Sequence, residues 1–180
     1  MPRVLAILAD GFEEIETVTP IDLLRRAGVE VTTASLGTDI HVKGRSQLVM
    51  HADTTLAKLQ EPGGFDCLFL PGGPGVQAMR ANLQVQALVK AYAAADKWLV
   101  AICAAPVILG DAGLLQGKNY TAHHSVAQEL QQILAAERVV RDGKLITSRG
   151  AGTSIDFGLA LVEHLVSAAK SKDIANAICA

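Results

Sequence analysis

Aromatic residues are scarce in this chain: Phe, Trp and Tyr together account for 4% of its 180 residues, whereas hydrophobic residues account for 50%. The core must therefore be built mainly from Ala, Val, Leu and Ile. A hydrophobic fraction this high excludes intrinsic disorder. The length predicts a single domain, residues 1–180, that is large enough to bury a well-developed core.

The chain also lacks a large excess of positive or negative charge. The chain has 16 basic and 18 acidic residues, for a net charge of −2, and no run of Lys or Arg. This balance predicts no specific nucleic-acid binding and no polybasic membrane surface. No segment approaches 18 uninterrupted apolar residues, so we expect no membrane span. The opening residues, MPRVLAILAD, fit a buried first strand better than a signal peptide.

Cysteine is rare, with three residues at Cys67, Cys103 and Cys179. An odd number without framework spacing predicts free thiols in a reducing compartment, which indicates a cytoplasmic protein. Spacings typical of metal ligands are also missing. The adjacent histidines at 123 and 124 are expected to point apart, and His41 and His51 lack ligand spacing, so we expect no metal site.

Strands and helices alternate along the chain, and most of the strands are continuously apolar. Strands are expected at residues 4–9, 29–36, 66–70 and 98–102, with hairpins over 40–51 and around 142–143. Helices are expected at residues 11–28, 54–60, 82–95, after the cysteine turn through 109, and at 126–134, 153–168 and 173–178, the first of them kinked or restarted at Pro20. This order predicts a mainly parallel sheet covered on both faces, a doubly wound, flavodoxin-like α/β fold.

The stretch AICAAP places Cys103 where a buried strand ends and a helix begins. A free cysteine is commonly a small buried core residue. The alternative is a nucleophile elbow, in which a strained turn exposes the thiol and nearby helix N–H groups lower its pKa. Pro106 suits the first turn of the following helix, and Ala104 is small enough for a tight turn. From these residues alone both alternatives stay open.

Two further segments fall near predicted strand ends. Glu13, Glu14 and Glu16 cannot share one helix face, so we expect at least one in solvent and one pointing inward. The loop LPGG offers backbone N–H groups of Gly72 and Gly73 that could hold an oxyanion, although a simple glycine turn is an equal alternative. Residues 73–78 match the dinucleotide-binding pattern G-x-G-x-x-A. We reject this interpretation, because the segment follows an inner strand and contains Pro74, which lacks a backbone N–H for a pyrophosphate.

The motifs DGFEEIETV, LPGG, AICAAP and TSRGAGTSIDFGLALVE, in this order, resemble the ThiJ/PfpI superfamily, in particular the branch of the parkinsonism-associated protein deglycase and its bacterial relatives. The resemblance covers nearly the whole chain. It implies a flavodoxin-like homodimer with a reactive cysteine at position 103. It also implies that Glu16 is the inward carboxylate and that His123 lies near the thiol.

The same resemblance implies an activity that needs no cofactor. The expected substrates are methylglyoxal, glyoxal or their early protein and nucleotide adducts, with lactate or glycolate released. We expect a neutral Glu16 of raised pKa, hydrogen-bonded to a Cys103 thiolate. The alternative role is an oxidative-stress sensor or chaperone, in which the same thiol is oxidised to sulfinate. A third interpretation, thiazole biosynthesis, has no supporting feature in the residues.

Departures from the family pattern refine these expectations. The proteolytic members have a histidine directly after the nucleophile, and Ala104 at that position argues against a protease. Ala151 stands where close relatives often have proline. Arg149 in the same loop is either a binding group for an anionic substrate or an ordinary surface arginine. Arg26 is expected to contribute across a dimer interface.

Overall fold

The computed structural model describes residues 1–180 and has one large sheet. Its seven strands lie in the order β5-β2-β1-β6-β7-β9-β8, and all pair in parallel except β8, which is antiparallel to β9. The strands are β1 (Arg3–Leu8), β2 (Glu30–Ser35), β5 (Thr54–Thr55), β6 (Cys67–Leu70), β7 (Trp98–Ile102), β8 (Val139–Asp142) and β9 (Leu145–Ser148). A separate hairpin pairs β3 (His41–Lys43) with β4 (Val49–His51).

Helices cover both faces of the sheet. They are α1 (Glu14–Arg26), α2 (Val76–Ala81), α3 (Leu83–Ala94), α4 (Pro106–Asp111), α5 (Ser154–Leu165) and α6 (Ala168–Ala177). One hydrophobic cluster packs α2, α3 and α4 on one face, and a second packs α1 and α5 on the other. The doubly wound α/β prediction is thus confirmed. No helix is long and apolar enough to span a membrane.

Most predicted elements are present, including the four inner strands, and Asn82 caps α3. The Asn82 side chain accepts hydrogen bonds from the backbone N–H groups of Gln84 and Val85 at 2.9 and 3.1 Å. Pro20 lies inside α1, which remains one helix. Helix α2 was not predicted, and α6 begins before the expected residue 173.

Two helix predictions are wrong. Residues 54–60 form the short strand β5 and a 3₁₀ turn at Leu56–Lys58 instead. Residues 126–134 form turns, because this segment is fastened to the chain near Tyr120. Leu134 N–H donates to the Tyr120 carbonyl at 2.9 Å, and the Thr121 hydroxyl donates to the Leu134 carbonyl at 3.0 Å. These tertiary hydrogen bonds override the local helix preference.

Candidate active site

The carboxyl ends of three inner strands bring the conspicuous sequence motifs together. The parallel registers align β1, β6 and β7, so the residues that follow these strands meet at one edge of the sheet. Those following residues belong to the DGFEEIETV, LPGG and AICAAP motifs. Crevices at the carboxyl ends of parallel strands are the usual location of sites in doubly wound folds.

Cys103 occupies a strained turn between β7 and α4. Its φ is +64°, a left-handed conformation that residues other than glycine rarely adopt. Pro106 is the first residue of α4, as expected. The thiol is half-buried, whereas Cys67 is fully buried in the core and Cys179 is exposed. Cys103 therefore occupies a nucleophile elbow, whereas Cys67 is a small residue of the buried core.

Glu16 enters the site from the first turn of α1. Glu13 precedes the helix and caps it, accepting a hydrogen bond from the Glu16 backbone N–H at 2.7 Å. The Glu16 side chain is 1% exposed and points inward, as predicted. The expectation that at least one of the three glutamates lies in solvent is wrong, because Glu13 and Glu14 are also buried and Ile15 faces solvent instead.

Burial raises the pKa of the Glu16 carboxyl from its ordinary value of 4.5 to about 7. The Cys103 thiol and the backbone N–H groups of Gly72 and Ala151 lower this pKa, but by less than burial raises it. Glu16 Oε2 is buried and lacks a hydrogen-bond partner of good geometry. The predicted direction of the Glu16 shift is confirmed, and its main cause is desolvation.

The expected lowering of the Cys103 pKa is wrong for the site as folded. Burial raises the pKa of this thiol most, and the charge of Glu16 and the hydrogen bond that Glu16 accepts from the thiol act in the same direction, so that the pKa is about 12. The N–H groups of Gly73 and Ala104 act in the opposite direction. Helix α4 spans six residues, so its dipole does not offset the burial.

Cys103 and Glu16 therefore behave as one coupled unit. The buried Glu16 and the half-buried Cys103 share one largely desolvated pocket, which disfavours two negative charges but tolerates one. Above about pH 7 the pair carries one negative charge and keeps one proton. The ionised Glu16 carboxylate can thus accept the thiol proton when the Cys103 sulfur forms a bond to a substrate carbon.

The glycine loop after β6 is packed tightly against this pair. A side chain at Gly72 would place its Cβ 2.5 Å from the Cβ of Cys103 and against the Glu16 carboxyl. Gly73 has a φ of +91° and lies against the backbone of Phe12 and Glu13, so it too requires glycine. The N–H of Gly73 faces the sulfur, whereas that of Gly72 faces Glu16. The amide cradle for the sulfur therefore consists of Gly73 and Ala104, and Gly72 positions the acid.

His123 lies beside the thiol, and its backbone N–H donates to the Cys103 carbonyl at 2.9 Å. Burial lowers its pKa, and the nearby charges of His124, Arg149 and Arg45 lower it further. Its Nδ1 accepts the Ser125 backbone N–H at 3.2 Å, which leaves the proton on Nε2. The expectation that His123 and His124 point apart is wrong, because their ring centroids are 4.0 Å apart.

Two cavities meet at this site. The first, of about 450 Å³, opens above Cys103 and is also lined by Glu16, Gly73, Ala104, His123 and Arg45. The second, of about 550 Å³, contains Arg149 and shares His123 and Ala151 with the first. Arg149 makes no side-chain hydrogen bond or ion pair within the chain and is exposed. Sequence analysis missed Arg45, because a single cation in a hairpin loop carries no motif.

A doubly wound α/β chain with a cysteine at the elbow after an inner strand, beside a buried acid, defines the class of flavodoxin-like cysteine proteins. The model of the DJ-1/PfpI family matches residues 2–164. The chain belongs to this family.

Known relatives extend over nearly the whole chain. Protein dj-1beta of Drosophila melanogaster is 37% identical over 97% of this chain and 95% of its own length, and the Parkinson disease protein 7 homolog of Danio rerio is 36% identical over 92% and 90%. The chain spans 41% of the DJ-1 homolog B of Arabidopsis thaliana, at 37% identity over 98% of this chain. An isonitrile hydratase of Pseudomonas putida is 38% identical over 56% of this chain and 46% of its own length.

Solved structures agree with the fold. Drosophila melanogaster DJ-1beta has a TM-score of 0.94 at 36% identity and covers 99% of this chain and 97% of its own. Oxidized Toxoplasma gondii DJ-1 has a TM-score of 0.93 at 33% identity, covering 99% and 98%.

Proposed function

We propose that this chain is a cysteine-dependent, cofactor-free enzyme that converts methylglyoxal or glyoxal to lactate or glycolate, or removes them from early adducts on protein and nucleotide groups. One observation carries the proposal: the half-buried Cys103 thiol lies in a cavity beside Glu16, a buried acid whose pKa is about 7. An acid–base group titrating near neutral pH is well matched to proton transfer. Membership of the DJ-1/PfpI family, which includes an isonitrile hydratase among the relatives, supports an enzymatic role.

In the first step the Cys103 sulfur adds to the aldehyde carbon of the substrate. The ionised Glu16 carboxylate accepts the thiol proton as the carbon–sulfur bond forms. A thiolate is therefore not needed before the substrate binds. The N–H groups of Gly73 and Ala104, which face the sulfur, stabilise the oxyanion that develops on the former carbonyl. Glu16 then delivers the thiol proton to that oxygen, which gives a neutral hemithioacetal and returns Glu16 to its carboxylate form.

In the second step the hemithioacetal of methylglyoxal rearranges to a lactoyl thioester. The Glu16 carboxylate accepts the hydrogen of the former aldehyde carbon as a proton and returns it to the neighbouring carbon, while the hydroxyl proton passes to the neighbouring oxygen, so one carbon is oxidised and the other is reduced. His123, neutral because its pKa is lowered, has its Nε2–H free to donate to the neighbouring oxygen. Water then hydrolyses the thioester, releasing lactate and restoring the thiol. The balance is one water consumed per methylglyoxal.

Lactate release from methylglyoxal without added glutathione tests this proposal. We expect turnover by the wild type and only the non-enzymatic rate for Cys103→Ser. Cys179→Ser is the matched control, because Cys179 is exposed and near the C-terminus, and it should keep full activity. Equal lactate release by wild type and Cys103→Ser would refute the enzymatic proposal.

A redox-sensor or chaperone role is the second candidate. The oxidized state of a structural relative, Toxoplasma gondii DJ-1, favours it. Two molecules of hydrogen peroxide would convert the Cys103 thiol to sulfinic acid and two waters, and protonated Glu16 would donate a hydrogen bond to the product. Mass spectrometry after mild peroxide treatment should locate two added oxygens on Cys103 first. Earlier oxidation of buried Cys67 would contradict this role.

We further propose that the chain forms a homodimer through a surface built from α1, α5 and the β3–β4 hairpin. Five large apolar side chains are exposed there: Ile15, Val18, Leu48, Val49 and Ile155. The Ser46 backbone N–H donates to Glu14 at 2.7 Å and fastens the hairpin to α1. Exposed apolar groups on adjoining elements are typical of an interface. Light scattering should give twice the chain mass for the wild type, and Val18→Asp should shift it toward the monomer.

A cytoplasmic location is also proposed, because all three cysteines are free and a reducing compartment keeps thiols in that state. Cell fractionation tests the location, and recovery of the protein in an oxidising compartment would contradict it.

A further inference from the structure

The β3–β4 hairpin places two histidines opposite each other on its surface. His41 pairs with His51 in the antiparallel register. The adjacent pair, in which the Ala52 backbone N–H donates to the Ile40 carbonyl at 2.8 Å, is hydrogen-bonded. Hydrogen-bonded and non-hydrogen-bonded pairs alternate along an antiparallel ladder, so His41 and His51 form a non-hydrogen-bonded pair. Side chains approach most closely in such pairs, and both rings extend from the same face.

The two imidazole rings are in contact. Their centroids are 4.2 Å apart and their planes meet at 68°. This juxtaposition is invisible in the sequence, where nine residues separate the two histidines and the spacing fits no ligand motif. The hairpin register converts that separation into contact between the two imidazole rings.

A carboxylate orients one of the rings. His41 Nδ1 lies 2.8 Å from Asp39 Oδ1, and the His41 backbone N–H donates to the same oxygen at 3.2 Å. The proton of a neutral His41 is therefore held on Nδ1, and the lone pair is on Nε2. A carboxylate bound to one ring nitrogen while the other is free is the arrangement found behind metal-ligating histidines.

We propose that His41 and His51 form a two-histidine chelate for a divalent transition-metal ion such as Ni²⁺, Cu²⁺ or Zn²⁺, with Asp39 as the group that orients His41. Imidazole nitrogen is a preferred ligand of these ions. No third His, Cys, Asp or Glu is placed to complete a larger ligand set, so water molecules fill the other positions. Both histidines are exposed, and a cleft of about 340 Å³ beside His41 gives solvent access. The pair belongs to the hairpin and does not line the Cys103 cavity.

Calorimetric titration with NiCl₂ tests the chelate. Ni²⁺ is chosen because, unlike Cu²⁺, it does not oxidise thiols. The full-length chain carries Cys103→Ser and Cys179→Ser to remove the two accessible sulfur ligands. In this background we expect one Ni²⁺ per His41–His51 pair. His41→Gln and His51→Gln should each weaken binding at least tenfold, because one imidazole is lost from a two-ligand site. Asp39→Asn should weaken it by about tenfold, the usual effect of losing an orienting carboxylate.

The matched control is His164→Gln, which removes a histidine remote from the hairpin. Its Ni²⁺ affinity should equal that of the parent, and circular dichroism should show unchanged folding in all four variants. Unchanged binding in either His41→Gln or His51→Gln overturns the chelate, since a two-ligand site needs both rings. Equal loss in His164→Gln overturns it as well, because the binding would then be unspecific.

Discussion

Glu16 and Cys103 act on each other's protons in opposite directions. The Glu16 carboxyl raises the pKa of the thiol through its charge and by accepting the hydrogen bond of the thiol, whereas Cys103 lowers the pKa of Glu16. The proton of the pair is therefore held preferentially on sulfur until a substrate carbon is present to bond with it. In the proposed mechanism, the base that activates the nucleophile is thus the group that keeps it neutral at rest.

The first prediction concerns the pH dependence of Cys103 alkylation by iodoacetamide. Glu16 ionises near pH 7 and can then accept the thiol proton. The alkylation rate should therefore rise with an apparent pKa of about 7, although the thiol itself titrates far higher. In Glu16→Gln the base is gone while burial of the thiol remains, so the rate at pH 7.5 should fall at least tenfold. An unchanged midpoint near pH 7 in Glu16→Gln would show instead that the thiol ionises by itself.

The second prediction concerns stability. The pKa of Glu16 is raised from 4.5 to about 7 in the folded chain, so the folded state binds this proton more tightly than the unfolded state. The contribution to the free energy of unfolding is complete below pH 4.5 and is lost as pH rises through about 7. Its size is about 3 kcal/mol by linkage. Urea unfolding at pH 4.5 and pH 8 should show this loss relative to Glu16→Gln.

Asp22→Asn is the control for that measurement. Asp22 lies on the same helix, is half-exposed and pairs with Arg26 at 2.7 Å. Because exposed pairs of this kind contribute little, the variant should keep the pH dependence of the wild type. A wild type and a Glu16→Gln variant that lose stability in parallel between the two pH values would contradict the assignment to Glu16.

The third prediction tests the tight packing at Gly72. A Cβ there would overlap the Glu16 carboxyl and lie 2.5 Å from the Cβ of Cys103. Gly72→Ala should therefore displace the pair, reduce cysteine alkylation and the proposed turnover at least tenfold, and destabilise the chain by about 1–3 kcal/mol through overpacking. Gly63→Ala is the matched control, because nothing lies within 4 Å of its Cβ position. Equal reactivity of the two variants would show that the site does not need this close approach.

The strand ends were predictable from sequence because apolar runs stopped at Asp10, Pro71 and Cys103. The buried strands, the elbow and the inward Glu16 follow from local pattern and from the family motifs. The absence of a helix at residues 126–134 could not be predicted from local pattern. The hydrogen bonds of Tyr120 and Thr121 that hold this segment in another conformation join residues distant in sequence.

The raised pKa of the Cys103 thiol also could not be predicted from the sequence. The sequence indicates a helix N-terminus after Cys103, which favours a low thiol pKa, but the short α4 and the depth of burial are properties of the assembled fold. The His41–His51 contact likewise depends on hairpin register. A one-residue change of register would place the two rings on opposite faces.

The final prediction concerns Arg149 and the second cavity. Arg149 is exposed without an ionic partner, and it lines a cavity that shares His123 with the Cys103 cavity. Its charge, together with burial and the charge of His124, lowers the pKa of His123, so the guanidinium lies close enough to interact with the site. An anionic group attached to a 2-oxoaldehyde should therefore bind there while the aldehyde reaches the thiol.

We expect Arg149→Gln to lower kcat/KM at least tenfold for a 2-oxoaldehyde that carries a terminal carboxylate, mainly by raising KM, and to change kcat/KM for methylglyoxal by less than about threefold. A full charge interaction at a partly exposed site is consistent with that tenfold effect, about 1.4 kcal/mol. Arg141→Gln is the matched control, since Arg141 lies over the Trp98 ring and lines neither cavity. Equal losses for the neutral and the anionic substrate would assign Arg149 to folding of its loop rather than to substrate charge.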